Sequence, residues 1–570
     1  MMRLIPSFNC RCLLRFSTII LFFLPIYALP AELTTELIPI DQLAKKFVSD
    51  VERIEVFYPK QFDRLEMDWK KTSSDYIREF ENEKDIEKKL NIFSRLYYSW
   101  NNAHHRPISI KGIIASTSDE ILEVPIRIFG QGIKLSQARF FVTDISTKDT
   151  PINIKVGDEI VSYNSLPISK HVLKTRDEFG NESPEAHITA IARGLVFQRR
   201  CSWGKIKCWM RDDPVQMSLK DVDTGEIKKV TLHWRERVKS AFIQPLKEPR
   251  FDKNEGWTFK PLVGGYGIDF DSTPDNEYGF YGVLQNKNHK FLLIKIFQFK
   301  DISFVQSAIK ESRKSEYEGV ILDFGDNGGG NDSSMTLMAG LVGVKYQLEL
   351  SSIRLVQEFK DKEVLKEATF GETKAGFLYP FVANKNFNKM SPLTPFGCLD
   401  KNCPLKTSYT DYLEYWEKPS VLEEKPVKRI SLITGRGTTS KTDSIAALFR
   451  STKVGPIIGT PAVASSGTYY FRKEYLVRIG KKVVTVGVTF TPDFSLGTDC
   501  EEIQANPPQP NILIERTFEN RDYYDTKTWI EAANAMMNWK EKPQIDRSCE
   551  IEDAKAKLKQ FGLMHVERIK

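Results

Sequence analysis

From Lys290 onward the chain alternates short buried-strand runs with helical ones, and that alternation constrains its fold more than any other feature. "KFLLIKIFQF", "GVILDFG", "RISLITG" and "VGPIIGT" are apolar runs of strand length bounded by glycine or charge. Between them lie "SSMTLMAGLVGV" and "KTDSIAALFRST", which repeat apolar residues every three or four positions. Strands separated by helices in this way build an α/β layer from βαβ units. A last amphipathic segment, "TKTWIEAANAMMNW", follows before a charged tail at 546–570.

Upstream the texture differs. Residues 33–107 repeat apolar positions with helical period in three stretches, the first being "IDQLAKKFVSDVERIEVFY", and the last ends at "NNAHHRP". Residues 108–246 carry short β-branched and aromatic runs such as "ARFFVTDI" and "VTLHWRE", with a charged, helical insert before the last strands. Residues 247–290 show no clear period and are expected to be a linker or irregular insert, leaving 291–545 as the α/β core. The whole is a multidomain α+β protein.

The N-terminus carries Arg3, Arg11 and Arg15 before an apolar run, with small residues at Ala28 and Ala31. This is the order of a secretory signal peptide, assigned to 1–28. The uncharged run is short for a membrane span and contains Pro25 and Pro30, so no permanent anchor is expected. Removing it leaves 79 basic against 75 acidic side chains, a net of +4 that suggests no nucleic-acid surface. An exported protein, periplasmic or secreted, is expected. Six cysteines remain: Cys201, Cys208, Cys398, Cys403, Cys500 and Cys549. Their even number permits disulfides; the close pairs Cys201/Cys208 and Cys398/Cys403 are the simplest assignment, with Cys500/Cys549 by elimination. No histidine accompanies these spacings, so a structural metal is not expected.

Two stretches carry chemistry. "VILDFGDNGGGNDSS" runs a strand into three glycines, which suit positive φ and close backbone approach. "RGTTSKTDSIAALFR" places Ser440 at a helix start, as either a plain N-cap or a nucleophile beside backbone donors. Together with "VGPIIGTPAVASSGTYY", these stretches resemble the catalytic core of the carboxyl-terminal processing (tail-specific) serine peptidase superfamily. The matching motifs are Asn327 to Gly330, Ser440-Lys441-Thr442-Asp443 and Gly459-Thr460-Pro461. "IKVGDEIVSYNSLPI" is similar to part of the PDZ-like domain of that superfamily.

The resemblance implies a PDZ-like domain at 108–246 and a ClpP/crotonase-like ββα core. It also implies acyl-enzyme hydrolysis of protein or peptide substrates held in extended form, without a cofactor, and it admits a homodimer. Where the Ser-Lys branch carries its lysine, this chain has Ala464, Ser465 and Ser466. It therefore resembles the other branch, which includes the tricorn core protease and the chlamydial protease-like activity factor and uses a Ser-His-Glu arrangement. The match implies Ser440 as nucleophile, His104 as base (His105 its alternate) and Glu502 as the orienting acid, with Gln504 and Glu501 as alternates. The amides of Lys441 and of Gly329 or Gly330 would stabilise the oxyanion. The competing expectations are a catalytically inactive scaffold that binds peptide C-termini or extended peptides, and a Ser-Lys enzyme using a remote lysine.

Overall fold

The computed structural model describes residues 37–55, 62–100, 108–111, 115–146, 153–176, 183–203, 206–208, 214–236, 250–251, 256–264, 278–330, 333–342, 350–354, 369–370, 373–374, 393–395, 427–463, 469–491, 493–497, 499–504 and 506–544. The signal segment 1–28, His104, His105, Ala464 to Ser466, Cys398, Cys403 and Cys549 lie outside them.

Three helices open the described chain: α1 (Leu43–Ile54), α2 (Trp69–Asn82) and α3 (Ile86–Ser99). The last two start at aspartates, Asp68 and Asp85, whose carboxylates accept the amides of Lys71 and Lys88. Their apolar faces, including Phe47, Val51, Phe80, Phe93 and Tyr97, do not form a core alone. They close on a hairpin from far along the chain, Tyr469–Ile479 with Lys482–Phe490, through Tyr475, Val477, Val486 and Phe490. Strand Leu37–Pro39 pairs with the first of these strands and Ser109–Lys111 with the second.

A β-rich domain follows. Its main sheet takes Ile126–Gln131, Arg139–Ile145, Glu159–Tyr163, Val215–Lys220 and Ile227–Leu232 in chain order, so Ile126–Gln131 is an edge strand. Between the third and fourth strands come α4 (Ile168–Thr175) and α5 (Pro184–Val196), the latter at the expected helical insert. Proline at the first position and the Ser183 hydroxyl accepting the Ala186 amide start α5. Ile188, Ile191 and Leu195 bury its inner face against Ile126, Phe140 and Val142.

The core sheet has seven strands, again in chain order: Thr258–Val263, Gly279–Gln285, Lys290–Ile296, Val320–Asp323, Ile430–Thr434, Ile457–Gly459 and Ile512–Leu513. The first three are antiparallel neighbours and the rest pair parallel. The first two lie inside 247–290, so that stretch is not a linker. Their glycines and aromatics gave no clean alternation because both faces of Gly279–Gln285 are buried. On one face α6 (Ile302–Ser312), α7 (Ser333–Val342) and α8 (Lys441–Thr452) cover Leu292, Ile294, Val320 and Leu322. On the other, α9 (Tyr524–Asn538) covers Phe291, Leu293, Ile321 and Ile433 with Trp529, Ala533 and Met536. The strands Val320–Asp323 and Ile430–Thr434 end side by side, and the glycine turn and the Ser440 turn spring from those ends.

Candidate active site

Ser440 occupies the N-cap position of α8 but does not cap it: its side chain makes no capping hydrogen bond. Its backbone sits at φ 60°, ψ −125°, a region that suits glycine and costs a side-chain residue roughly 1–3 kcal/mol. A serine used only as a cap would adopt the extended backbone and bond an amide of the first turn. The plain-cap reading is therefore overturned.

The strained turn is held by Asn327, which is fully buried. Its carbonyl accepts from the Thr439 amide (3.1 Å) and from the Thr442 hydroxyl (3.1 Å), one residue before and two after Ser440. Its side chain donates to Ile296 O (2.9 Å) and accepts the Gly329 amide (2.7 Å). One asparagine thus ties the Ser440 turn, the glycine turn and the preceding strand together. Gly329, at φ +86°, is the point of closest approach: a Cβ there would lie 2.6 Å from Ser440 Cβ and 3.1 Å from its Oγ. Only glycine fits.

The three glycine amides are not equivalent. Gly328 donates to Phe297 O (3.1 Å) and Gly329 to Asn327 Oδ1, so the Gly329 amide is already committed and does not serve as the expected oxyanion donor. Gly330, at φ +133° with its backbone pressed against Phe299, donates to no acceptor among the described residues. Lys441 is the first residue of α8, where the helix dipole favours negative charge.

The candidate acid lies on a loop strapped to α8. Arg450, in the last turn of that helix, donates from Nε to Asp499 Oδ2 (2.7 Å) and from Nη2 to Asp499 Oδ1 (3.0 Å). It reaches on to the carbonyls of Glu501 and Asn506 (3.4 Å each). Glu502 on this loop is 1% exposed and bridges to Leu496, whereas Glu501 is half-buried. Gln504 is buried as well. Burial thus separates Glu502 from Glu501. The segment carrying His104 and His105 is flanked by Trp100 and by Ser109–Lys111, which pairs with Lys482–Phe490, the strand that leads into the acid loop. Asn327, Arg450 and Asp499 were not singled out in the sequence beyond the Asn-x-Gly-Gly motif. A bidentate pair 49 residues apart leaves no local signal.

Beneath the glycine turn lies a buried charge cluster. Lys295 Nζ is 3.1 Å from Asp323, 3.1 Å from Asp525 and 3.6 Å from Asp326. Trp529 Nε1 donates to Asp323 (2.7 Å). Burial opposes the charge on Lys295, but the three carboxylates outweigh it and hold the lysine protonated, above its ordinary range. Burial likewise opposes the charge on Asp326, and Lys295, Arg516 and Arg436 outweigh that. Lys295 is thus held among three carboxylates. Among the described residues no His, Cys, Asp and Glu group is placed to hold a metal ion.

Residues 290–493 match the family described as Peptidase family S41. Comparison with curated proteins gives no match. Among solved structures the chain is similar to mature CPAF, at 16% identity and a TM-score of 0.55, covering 88% of this chain and 97% of that one. Mature CPAF complexed with lactacystin gives 15% identity and the same TM-score, covering 88% and 99%. The photosystem II D1 C-terminal processing protease is also matched, at 13% identity and a TM-score of 0.34 over 84% and 94%. The first two likenesses speak for the fold. The family match spans the strands that launch both turns and the helix headed by Ser440, and it identifies residues 290–493 as a peptidase family S41 domain and the chain as a serine-type peptidase.

Proposed function

We propose that this chain is an exported serine endopeptidase that hydrolyses peptide bonds through an acyl-enzyme, with Ser440 as nucleophile, His104 as base and then acid, and Glu502 orienting the histidine. The observation that carries the proposal is the uncapped, strained Ser440 pressed against Gly329 at the start of α8. His104 would take the seryl proton as Oγ attacks the scissile carbonyl and return it to the leaving amine; Glu502 would fix its tautomer and stabilise the imidazolium. The amides of Gly330 and Lys441 would receive the oxyanion. Protein or peptide substrates would lie extended beside the core, read mainly through their backbone.

Export to the periplasm or beyond is supported by the segment 1–28 and by the cysteine pattern. The backbone register sets Cys201 opposite Cys208 in an antiparallel pair. Such residues stand about 4.5–5.5 Å apart at Cα, within the range a disulfide spans. Cys500 is disulfide-bonded, and we assign Cys549 as its partner and Cys398 to Cys403. The β-rich domain is read as PDZ-like on its sequence resemblance.

The test is labelling of the purified protein with a fluorophosphonate probe, beside Ser440→Ala and His104→Ala. Labelling is expected in the wild type and in neither variant. Labelling that survives in His104→Ala but not in His105→Ala would move the base by one residue; survival in both would end the histidine assignment.

A further inference from the structure

The face of α5 that carries Glu185 and Thr189, one helical turn apart, meets the loops around the nucleophile. Arg436, four residues before Ser440, donates from Nη1 to Thr189 Oγ1 (3.3 Å). Thr460, in the Gly459–Pro461 turn, faces the Glu185 carboxylate across the same junction. Thr460 is itself fixed to the strand that feeds the Ser440 turn: its amide donates to Thr434 O (3.1 Å) and the Thr434 hydroxyl donates to Thr460 O (2.7 Å). A cavity of about 40 Å³ marks this junction, lined by Glu185, Thr189, Arg436, Thr460 and Asp326 among others.

The other side of α5 does not yield. A Cβ on Gly130 of the edge strand would come within 2.7 Å of Ile188 Cγ2 and 2.9 Å of Ile188 O, so the helix lies directly on Ile126–Gln131. A second tie, from the Phe518 amide to Gln131 Oε1 (2.7 Å) with Phe518 stacked on Phe141, pins the same domain to the core.

We infer that Glu185 is a positioning residue of this peptidase: from the β-rich domain it braces the Ser440 turn through Thr460 and, with Thr189, through Arg436, which makes that domain a fixed wall of the active site. The inference rests on Ser440 being the nucleophile. It also gives the brace a charge state. Burial pushes the Glu185 carboxyl up to about 7, against the Thr460 hydroxyl and the cations Arg436 and Arg64, with Glu515 adding to the rise. Tyr524 also faces it from the core, and Arg193 of α5 faces Arg436. The Thr460 hydroxyl favours the carboxylate, so the brace is complete only above that pH.

The experiment measures the rate of fluorophosphonate labelling of the full chain between pH 5.5 and 8.5 for wild type, Glu185→Gln, Glu185→Ala, Thr189→Val and Ser440→Ala. At pH 8 Glu185→Ala is expected to label about tenfold more slowly, the scale of a small misplacement of the nucleophile. Glu185→Gln is isosteric and keeps a hydrogen-bonding partner for Thr460. It should label near the wild-type rate at pH 8 and lose the Glu185 ionisation from the acid limb. Thr189→Val should be slowed at every pH with the limb unchanged. Wild-type rates and a wild-type limb in Glu185→Gln and Thr189→Val overturn the inference, whether or not Glu185→Ala folds. Slowing of both with an unaltered limb in Glu185→Gln also overturns it, as a purely structural effect. Wild type that labels no faster than Ser440→Ala defeats the nucleophile assignment, and the inference with it.

Discussion

Arg450 grips Asp499 with two parallel hydrogen bonds and thereby fastens the loop of Glu502 to the helix headed by Ser440. A planar guanidinium suits this task because it can hold the carboxylate with two nitrogens and still reach the neighbouring carbonyls. Arg450→Ala should cost about 3 kcal/mol in a denaturant titration, because it leaves a mostly buried Asp499 without its cation. It should also lower kcat/KM well beyond the loss of folded protein. Arg450→Lys keeps the charge and not the fork, and should recover less than half of the activity; full recovery would show that charge alone is needed.

The strain at Ser440 makes a second prediction. Since its side chain caps nothing, Ser440→Gly should raise the unfolding free energy by about 1 kcal/mol while abolishing activity. Ser440→Ala should abolish activity with no such gain, because alanine keeps the same unfavourable backbone. Calorimetry of the two variants side by side is the measurement. Equal melting temperatures would mean that the turn stores no strain.

Gly329→Ala attacks the same turn from its partner. The new methyl would fall 2.6 Å from Ser440 Cβ in a backbone at φ +86°, so one of the two turns must move. Loss of about a hundredfold in labelling rate is expected, with the protein still folded by circular dichroism.

Lys295→Met should be among the most damaging single changes in the core. It leaves the buried Asp323 and the half-buried Asp326 beside Asp525 without their shared cation, at a cost of about 3–5 kcal/mol near neutral pH. Without the lysine the carboxyls titrate above their unfolded values, so the deficit grows as pH rises through the folded value and shrinks as pH falls. Unfolding midpoints at pH 5 and pH 8 should therefore differ from wild type by less at the lower pH.

His187 of α5 sets an acid limit on the β-rich domain. Burial depresses it to about 4, and its Nε2 donates to Arg176 O (2.9 Å) in the neutral form. The unfolded chain takes up the proton first, near 6.5, so stability present above that pH is lost as pH falls toward 4, by about 3 kcal/mol in all. His187→Gln should flatten that slope in a pH series of denaturant midpoints.

The sequence was most informative where structure is local. The three N-terminal helices show their period in positions such as Leu43, Phe47, Val51 and Ile54, and the strands around Leu292, Ile321 and Leu432 read as uninterrupted apolar runs. Ser440 was legible through its motif. Thr258–Val263 was not, because its side chains face outward on a sheet edge and gave no buried stripe to detect. Nor could a sequence tell which glycine amide stays available, since that is decided by Asn327 folding back onto Gly329. The Glu185–Thr460 and Arg450–Asp499 contacts join residues far apart in the chain, and no spacing rule reaches them.

The N-terminal helices close over strands made more than 400 residues later: Leu37 pairs with Leu476, and the buried Asp50 accepts from Tyr475 Oη (2.9 Å) and Lys473 Nζ (3.0 Å). During synthesis the first fifth of the chain therefore has no partner until almost all of it has emerged. Its apolar faces must wait, open to solvent or to a chaperone, and the long loop to be closed makes this docking a late, slow event. Because the returning strands lead directly into the loop of Glu502, the same event that buries those faces also places that loop. A chain that ends before Tyr469 therefore has nothing to cover the apolar faces of its first three helices.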